Sequence, residues 1–191
     1  MPNCARTQIT RLRSDPPLVL RPSIETGRDP WPAWRLGELC PARVSLVAGA
    51  AGPLGGDELR LDIEVGPGAA LVLRAVAATL VLPGPHGRPS RTEITARVAR
   101  DGLLVLLPGT IIAARNCRHE AITRVMLEPG ARLLLREELV LGRHGEPPGA
   151  IRQHLRVCVG DQPLHDQAIA IGPGAAGWES AAVTGGRRAL G

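Results

Sequence analysis

The sequence predicts an all-β fold of short stacked strands, with at most one or two short helices. Three observations carry that expectation. Apolar and charged residues alternate with period two, most cleanly in ELRLDIEV (58–65). Gly and Pro supply 23 and 18 of the 191 residues, and their spread along the chain makes turns frequent and elements short. Turns of Pro-Gly-Ala type recur at intervals of roughly 30 residues, the mark of stacked or layered units.

Residues 1–35 are rich in Pro and Arg and weakly periodic. They read as a loosely ordered N-terminal arm or an edge segment, and residues 36–191 as a single β domain. In 58–65, Leu59, Leu61, Ile63 and Val65 share one face, while Glu58, Arg60, Asp62 and Glu64 share the other. That is a half-buried strand. RTEITARVAR (91–100) repeats the pattern through Ile94 and Val98. ARLLLREELV (131–140) fits a short helix and a strand equally. HLRVCVG (154–160) sets Leu155, Val157 and Val159 against Arg156 and Cys158. AIAIGPGAAGW (168–178) is an apolar strand running into a glycine turn.

That last stretch contains Gly172-x-Gly174-x-x-Gly177, the spacing of a dinucleotide-binding turn. Pro173 stands between the first two glycines and lacks the N–H that would meet a phosphate. The same GPGAA occurs at 66–70, Glu128-Pro129-Gly130-Ala131 is related, and Arg100-Asp101-Gly102 occupies a fourth such place. One architectural corner used repeatedly accounts for all four. Pro fixes φ at the first central position of a turn and Gly accepts positive φ at the next.

The interior must be aliphatic: 44% of residues are hydrophobic, with three Trp and no Phe or Tyr. The Lys-plus-Arg total of 23 is entirely Arg, which removes any lysine nucleophile, Schiff base or phosphate-loop lysine. A net charge of +5 would suit an acidic partner or nucleic acid. The Arg residues are scattered without an aromatic platform, so solvated strand faces explain the charge and no nucleic-acid partner is expected. Cys4, Cys40, Cys117 and Cys158 are far apart and indicate no disulfide framework. With no signal peptide and no membrane span in view, the expected location is the cytoplasm.

Constellations for chemistry are sparse. There is no GxSxG, HExxH or HxH, so neither a serine hydrolase, a zinc hydrolase nor a cupin site is marked. Cys117-Arg118-His119 places a thiol and an imidazole on one strand face, a half-site that would suit nickel, zinc or copper if it is not simply a buried Cys. Asp161 and Asp166 flank a Pro-Leu-His segment, as acid–base partners or as hairpin charges. Glu137 and Glu138 stand between LLLR and LVLG, so strict alternation turns one of them inward. An inward carboxylate needs a partner, and Arg136 or Arg143 would serve. Both acids lying in water on a sheet edge is the other reading.

The ordered motifs resemble a known family. They are Gly55-Gly56-Asp57-Glu58-Leu59, Val65-Gly66-Pro67-Gly68-Ala69, Ala77-Ala78-Thr79, Leu107-Pro108 with Ile111-Ile112, Glu137-Glu138-x-x-x-Gly142-Arg143, then Gly145-Glu146 and Pro163-Leu164. Together they resemble the urease accessory protein UreD (UreH) family over roughly residues 40–170. Thr110 and Ala114 depart from its pattern. The structural family motif maps to Gly56, Gly68, Pro108, Gly142 and Arg143. The resemblance implies a β-helical fold and a non-enzymatic scaffold. Such a scaffold binds apo-urease with UreF and the GTPase UreG, and delivers nickel to the urease active site, with an internal tunnel as the proposed route.

No tightly bound cofactor is implied, only a nickel ion in transit. A hydrated divalent ion does not cross a dry apolar body, so a conduit needs oxygen-bearing side chains inside it. Asp57, Thr79, Glu137, Glu138 and Glu146 are the candidates, being polar residues embedded in apolar strands or their mouths. The alternatives are a direct nickel metallochaperone using Cys117 and His119, and a cupin-like or β-solenoid enzyme.

Overall fold

The computed structural model describes residues 6–24 and 40–191. Two N-terminal strands, β1 (Leu18–Pro22) and β2 (Ala42–Ala48), lead into a series of rungs. The first rung is β3 (Glu58–Val65), β4 (Ala70–Ala75) and β5 (Thr79–Val81). The second is β6 (Ser90–Val98), β7 (Leu103–Leu107) and β8 (Thr110–Ala113), and the third β9 (Arg118–Leu127), β10 (Arg132–Leu135) and β11 (Glu138–Leu141). The chain then adds β12 (Ala150–Val159), doubles back as β13 (Gln162–Ile171) and closes with β14 (Ala189–Leu190). Among the described residues there is no helix.

Successive rungs pair in parallel on three faces, giving a β-solenoid of about four turns. One face is β3-β6-β9-β12, a second β2-β4-β7-β10 and the third β5-β8-β11. Leu71, Leu104 and Leu133 stand in register one above another, as do Leu61, Ile94 and Thr123. The sequence interval between turns is therefore the length of one rung. Parallel rungs also set the fold apart from a cupin, whose barrel is antiparallel.

The corner between the first and second faces is the recurrent turn. Ala69 N donates to Gly66 O at 3.1 Å, Gly102 N to Ala99 O at 2.9 Å and Ala131 N to Glu128 O at 3.0 Å. The third residue of each turn has positive φ: Gly68 at 62°, Asp101 at 57° and Gly130 at 78°. The fourth sequence match, Gly172–Ala175, forms the same kind of turn (3.0 Å). It follows the antiparallel strand β13 and does not belong to this stack.

Alternation sets the core. The ELRLDIEV strand β3 has the burial order eBeBeBeB, exposed and buried residue by residue. Leu61, Ile63, Val65, Leu104, Leu106, Val125 and Leu127 form a cluster between the first two faces. Val81, Ala113, Cys117, Leu139, Leu141, Ile151 and Ile171 form a second beneath the third face, with Trp178 and Leu190 packed on it. Each fully buried Leu, such as Leu104 or Leu106, contributes about 2 kcal/mol by leaving water.

Residues 131–140, ambiguous by pattern, are two strands, β10 and β11, bent at Arg136–Glu137. Within the expected arm, β1 pairs antiparallel with β2 as an edge strand. Residues 25–35 and the expected boundary at 35/36 lie outside the described residues. One cysteine corrects the sequence reading: Cys40 is disulfide-bonded, whereas Cys117 and Cys158 are free. The long spacing hid the bond because pairing follows tertiary proximity, not sequence distance. No helix long and apolar enough to cross a membrane occurs among the described residues.

Candidate functional site

The solenoid interior is not uniformly apolar. Inward positions along the first two thirds of the long strands carry Ser90, Thr92, His119, Thr123 and Gln153. Glu137, at the bend between β10 and β11, reaches across to them. Thr123 Oγ1 donates to Glu137 Oε1, and Gln153 Nε2 donates to Glu137 Oε2 at 2.6 Å. A carboxylate in such a place is tolerable because both its oxygens accept hydrogen bonds.

The expected inward turn of one glutamate is therefore observed, but with a different partner. Arg136 pairs with Glu138 (3.1 Å) and Arg143 with Glu146 (2.8 Å), so neither guanidinium serves Glu137. Glu138 lies on the β8–β11 ladder, where Thr110 Oγ1 donates to it at 2.6 Å.

A second buried polar pair lies nearby. Ser90 Oγ is 2.9 Å from His119 Nδ1, with the two residues 0% and 4% exposed. Burial pulls the His119 imidazole down to about 4, so the ring is neutral at pH 7. Cys117 is 1% exposed in the second apolar cluster. Burial, with a smaller contribution from the Glu146 charge, pushes its thiol up to about 11. Both members of the half-site thus face inward in neutral form. Among the described residues no group of three or more His, Cys, Asp and Glu side chains is placed to hold a metal ion.

The remaining candidates have local partners. Asp57 Oδ2 accepts from Leu54 N at 2.8 Å and closes its own turn. It also lines a shallow cleft of about 270 Å³ with Pro16, Pro17 and Leu59. Thr79 opens β5, half-buried, in register with Ile111. Pro108 and Gly56 stand in the connections before β8 and β3, and Gly56 has φ 103°. Asp166 accepts a 2.7 Å hydrogen bond from His154 on the exposed hairpin β12–β13; Asp161 lies in its turn.

Glu146 organises the loop between β11 and β12. Arg143 donates to it from Nε (2.8 Å), Nη2 (2.9 Å) and its backbone N (2.9 Å). Those hydrogen bonds hold the Glu146 carboxyl down at about 2. Gly142 has φ 75°, and a Cβ there would stand 2.8 Å from Glu146 O, so the family glycine is sterically required. Arg188 clamps the same loop, donating to Leu141 O (2.7 Å), Arg143 O (2.9 Å) and Glu146 O (2.7 Å).

Thr123, Gln153, Ser90 and Arg188 escaped sequence reasoning. Counting alternation back from Leu155 would have turned Gln153 inward. Arg188 carries no local signal, because its partners are more than 40 residues away.

A family model described as UreD urease accessory protein matches residues 3–191. The chain belongs to this family. UreD urease accessory proteins of Frankia alni and Frankia casuarinae are each 44% identical to it, over 96% of this chain and 69% and 62% of their own lengths. The Streptomyces avermitilis UreD is 41% identical over 97% of this chain and 69% of its own length. This UreD-family chain thus spans about two thirds of the relatives it matches.

Proposed function

We propose that this chain acts in urease maturation as a non-enzymatic scaffold in the cytoplasm. It holds apo-urease together with UreF and the GTPase UreG while nickel passes to the urease active site through the scaffold's polar interior. Nickel is the cargo here, not a resident cofactor. Family membership supports the maturation role. One structural observation carries the route: Glu137, turned inward and held by Thr123 and Gln153, puts oxygen ligands inside an aliphatic solenoid. A divalent ion that sheds hydration water takes such oxygens in its place. Along that interior Glu137 leads the five sequence candidates, because Asp57 and Glu146 are engaged in turns.

The test is co-expression with urease subunits, UreF and UreG. The chain should co-purify with them, and Ala substitutions at Asp57, Thr79, Glu137, Glu138 and Glu146 should leave that assembly intact. Glu137→Ala should reduce urease activation most. Normal activation by all five variants would reject the conduit.

The metallochaperone alternative rests on Cys117 and His119. Burial holds the thiol protonated and would have to be relieved before it could ligate nickel. Nickel titration of the isolated chain separates the two readings: tight one-to-one binding abolished by Cys117→Ala would favour the metallochaperone.

A further inference from the structure

Three of the six sheet edges are capped by an antiparallel strand, and among the described residues β3, β5 and β10 are left as the uncapped ones. At the C-terminal end β13 covers β12 and β14 covers β11, both antiparallel. At the opposite end of the second face, β1 covers β2, again antiparallel. The C-terminal edge of that second face is β10, and among the described residues no strand pairs with its outer side.

That edge is chemically unsatisfied. Arg132 N donates to Gly102 O (2.8 Å) and Arg136 N to Leu106 O (3.3 Å), toward the interior of the sheet. The alternate amides, of Leu133 and Leu135, therefore point to the open side. Their side chains pack against the main apolar cluster yet stay half-buried, as does Leu155. Val159, on the same inner face, is 39% exposed. A bare edge with an aliphatic row beneath it is a template for strand addition.

We infer that β10 is the docking edge for an extended segment of a partner polypeptide, aliphatic at alternate positions, flanked by acidic residues and added antiparallel. Alternate aliphatic residues would lie over Leu133, Leu135 and Leu155 and complete the rung. The acidic flanks follow from Arg132-Leu133-Leu134-Leu135-Arg136, which puts a basic residue at each end of the edge. Arg136 already holds Glu138, whereas Arg132 is exposed with no ion pair among the described residues. The same palindrome argues against a second copy of this chain. Two-fold antiparallel pairing about Leu134 would set Arg132 against Arg136, and like charges directly opposite are destabilising. This inference does not depend on the nickel route.

The experiment uses the full chain and two blocked peptides. Each alternates valine and threonine; one carries glutamates at both ends, the other arginines. Amide hydrogen exchange is followed at Leu133 and Leu135. The acidic peptide should slow exchange at both amides at least tenfold, equal to about 1.4 kcal/mol, and the basic peptide should not. Leu135→Pro removes one outward N–H without touching a ladder bond, and should abolish the effect while circular dichroism shows the fold retained. If that variant does not fold, the wild-type exchange data decide alone. The proposal is overturned by equal slowing with both peptides or by slowing with neither. It is equally overturned if the amides are already protected without peptide, whether in a monomer or a self-associated form.

Discussion

His119 Nδ1 and the Ser90 hydroxyl meet at 2.9 Å inside the solenoid, on adjacent rungs in register. The ring is kept neutral there, its pKa lowered from 6.5 to about 4 by burial. Above pH 6.5 the folded and unfolded states are both unprotonated at this site, and stability does not depend on it. Between 6.5 and about 4 the unfolded chain takes up a proton that the folded chain refuses. Stability then falls with pH, by roughly 1.4 kcal/mol per unit. Urea denaturation across this window should show a shallower slope for His119→Gln than for the wild-type chain. Identical slopes would mean that the ring is not held neutral.

Much of the fold was readable because period-two alternation is a local property. Leu59 to Val65 declare their inward face without knowledge of any other strand. The corner was readable for the same reason, since Gly68 and Gly130 mark turns from their own backbone needs. What could not be read was the pairing across the interior. Alternation places one of Glu137 and Glu138 inward, but a side chain opposite comes from another rung, so Arg was expected where Thr123 and Gln153 stand. The bare edge of β10 was equally hidden, because it depends on which strands the chain end covers.

Glu137 is predicted to be structural as well as polar. Glu137→Ala leaves the Thr123 hydroxyl and the Gln153 amide without their acceptor, at a cost of about 1–3 kcal/mol. Glu137→Gln retains an acceptor oxygen and should cost less. A double-mutant cycle with Thr123→Val should give a coupling of roughly 0.5 kcal/mol or more. Additive losses would show that the contact is not made in solution.

The stacked corner makes a graded prediction. Gly68 and Gly130 both have positive φ, so Ala at either position should cost about 1 kcal/mol or more. Added at Gly68, a Cβ meets open space; added at Gly130, it collides with the Asp101 carboxylate of the rung below. Gly130→Ala should therefore be the more destabilising of the two by chemical denaturation. Asp101 itself has φ 57°. Asp101→Gly relieves that backbone while loosening the unfolded chain, and should change stability by less than about 0.5 kcal/mol. A larger loss at Gly68 than at Gly130 would contradict the corner geometry.

Arg188 ties the chain's last segment to the loop that carries Gly142, Arg143 and Glu146. Its Nη2 lies within 2.7–2.9 Å of the carbonyls of Leu141, Arg143 and Glu146, and its Nε donates to Leu141 O at 3.1 Å. Arg188→Ala should speed hydrogen exchange in residues 142–146 and cost about 1–3 kcal/mol. Arg188→Lys keeps the charge but loses the rigid planar group and the Nε contact with Leu141 O, so it should recover only part of the loss. Glu146 adds a pH signature. Its carboxyl is held at about 2 by Arg143, against 4.5 unperturbed, so the loop's stabilisation is complete above pH 4.5 and is lost as pH falls toward 2. Protection in the loop, corrected for intrinsic exchange, should therefore fall over that acid window in the wild type and fall less in Arg143→Ala, where the backbone N–H groups of residues 143 and 115 still bond Glu146. A Lys variant equal to wild type would reduce the clamp to simple charge.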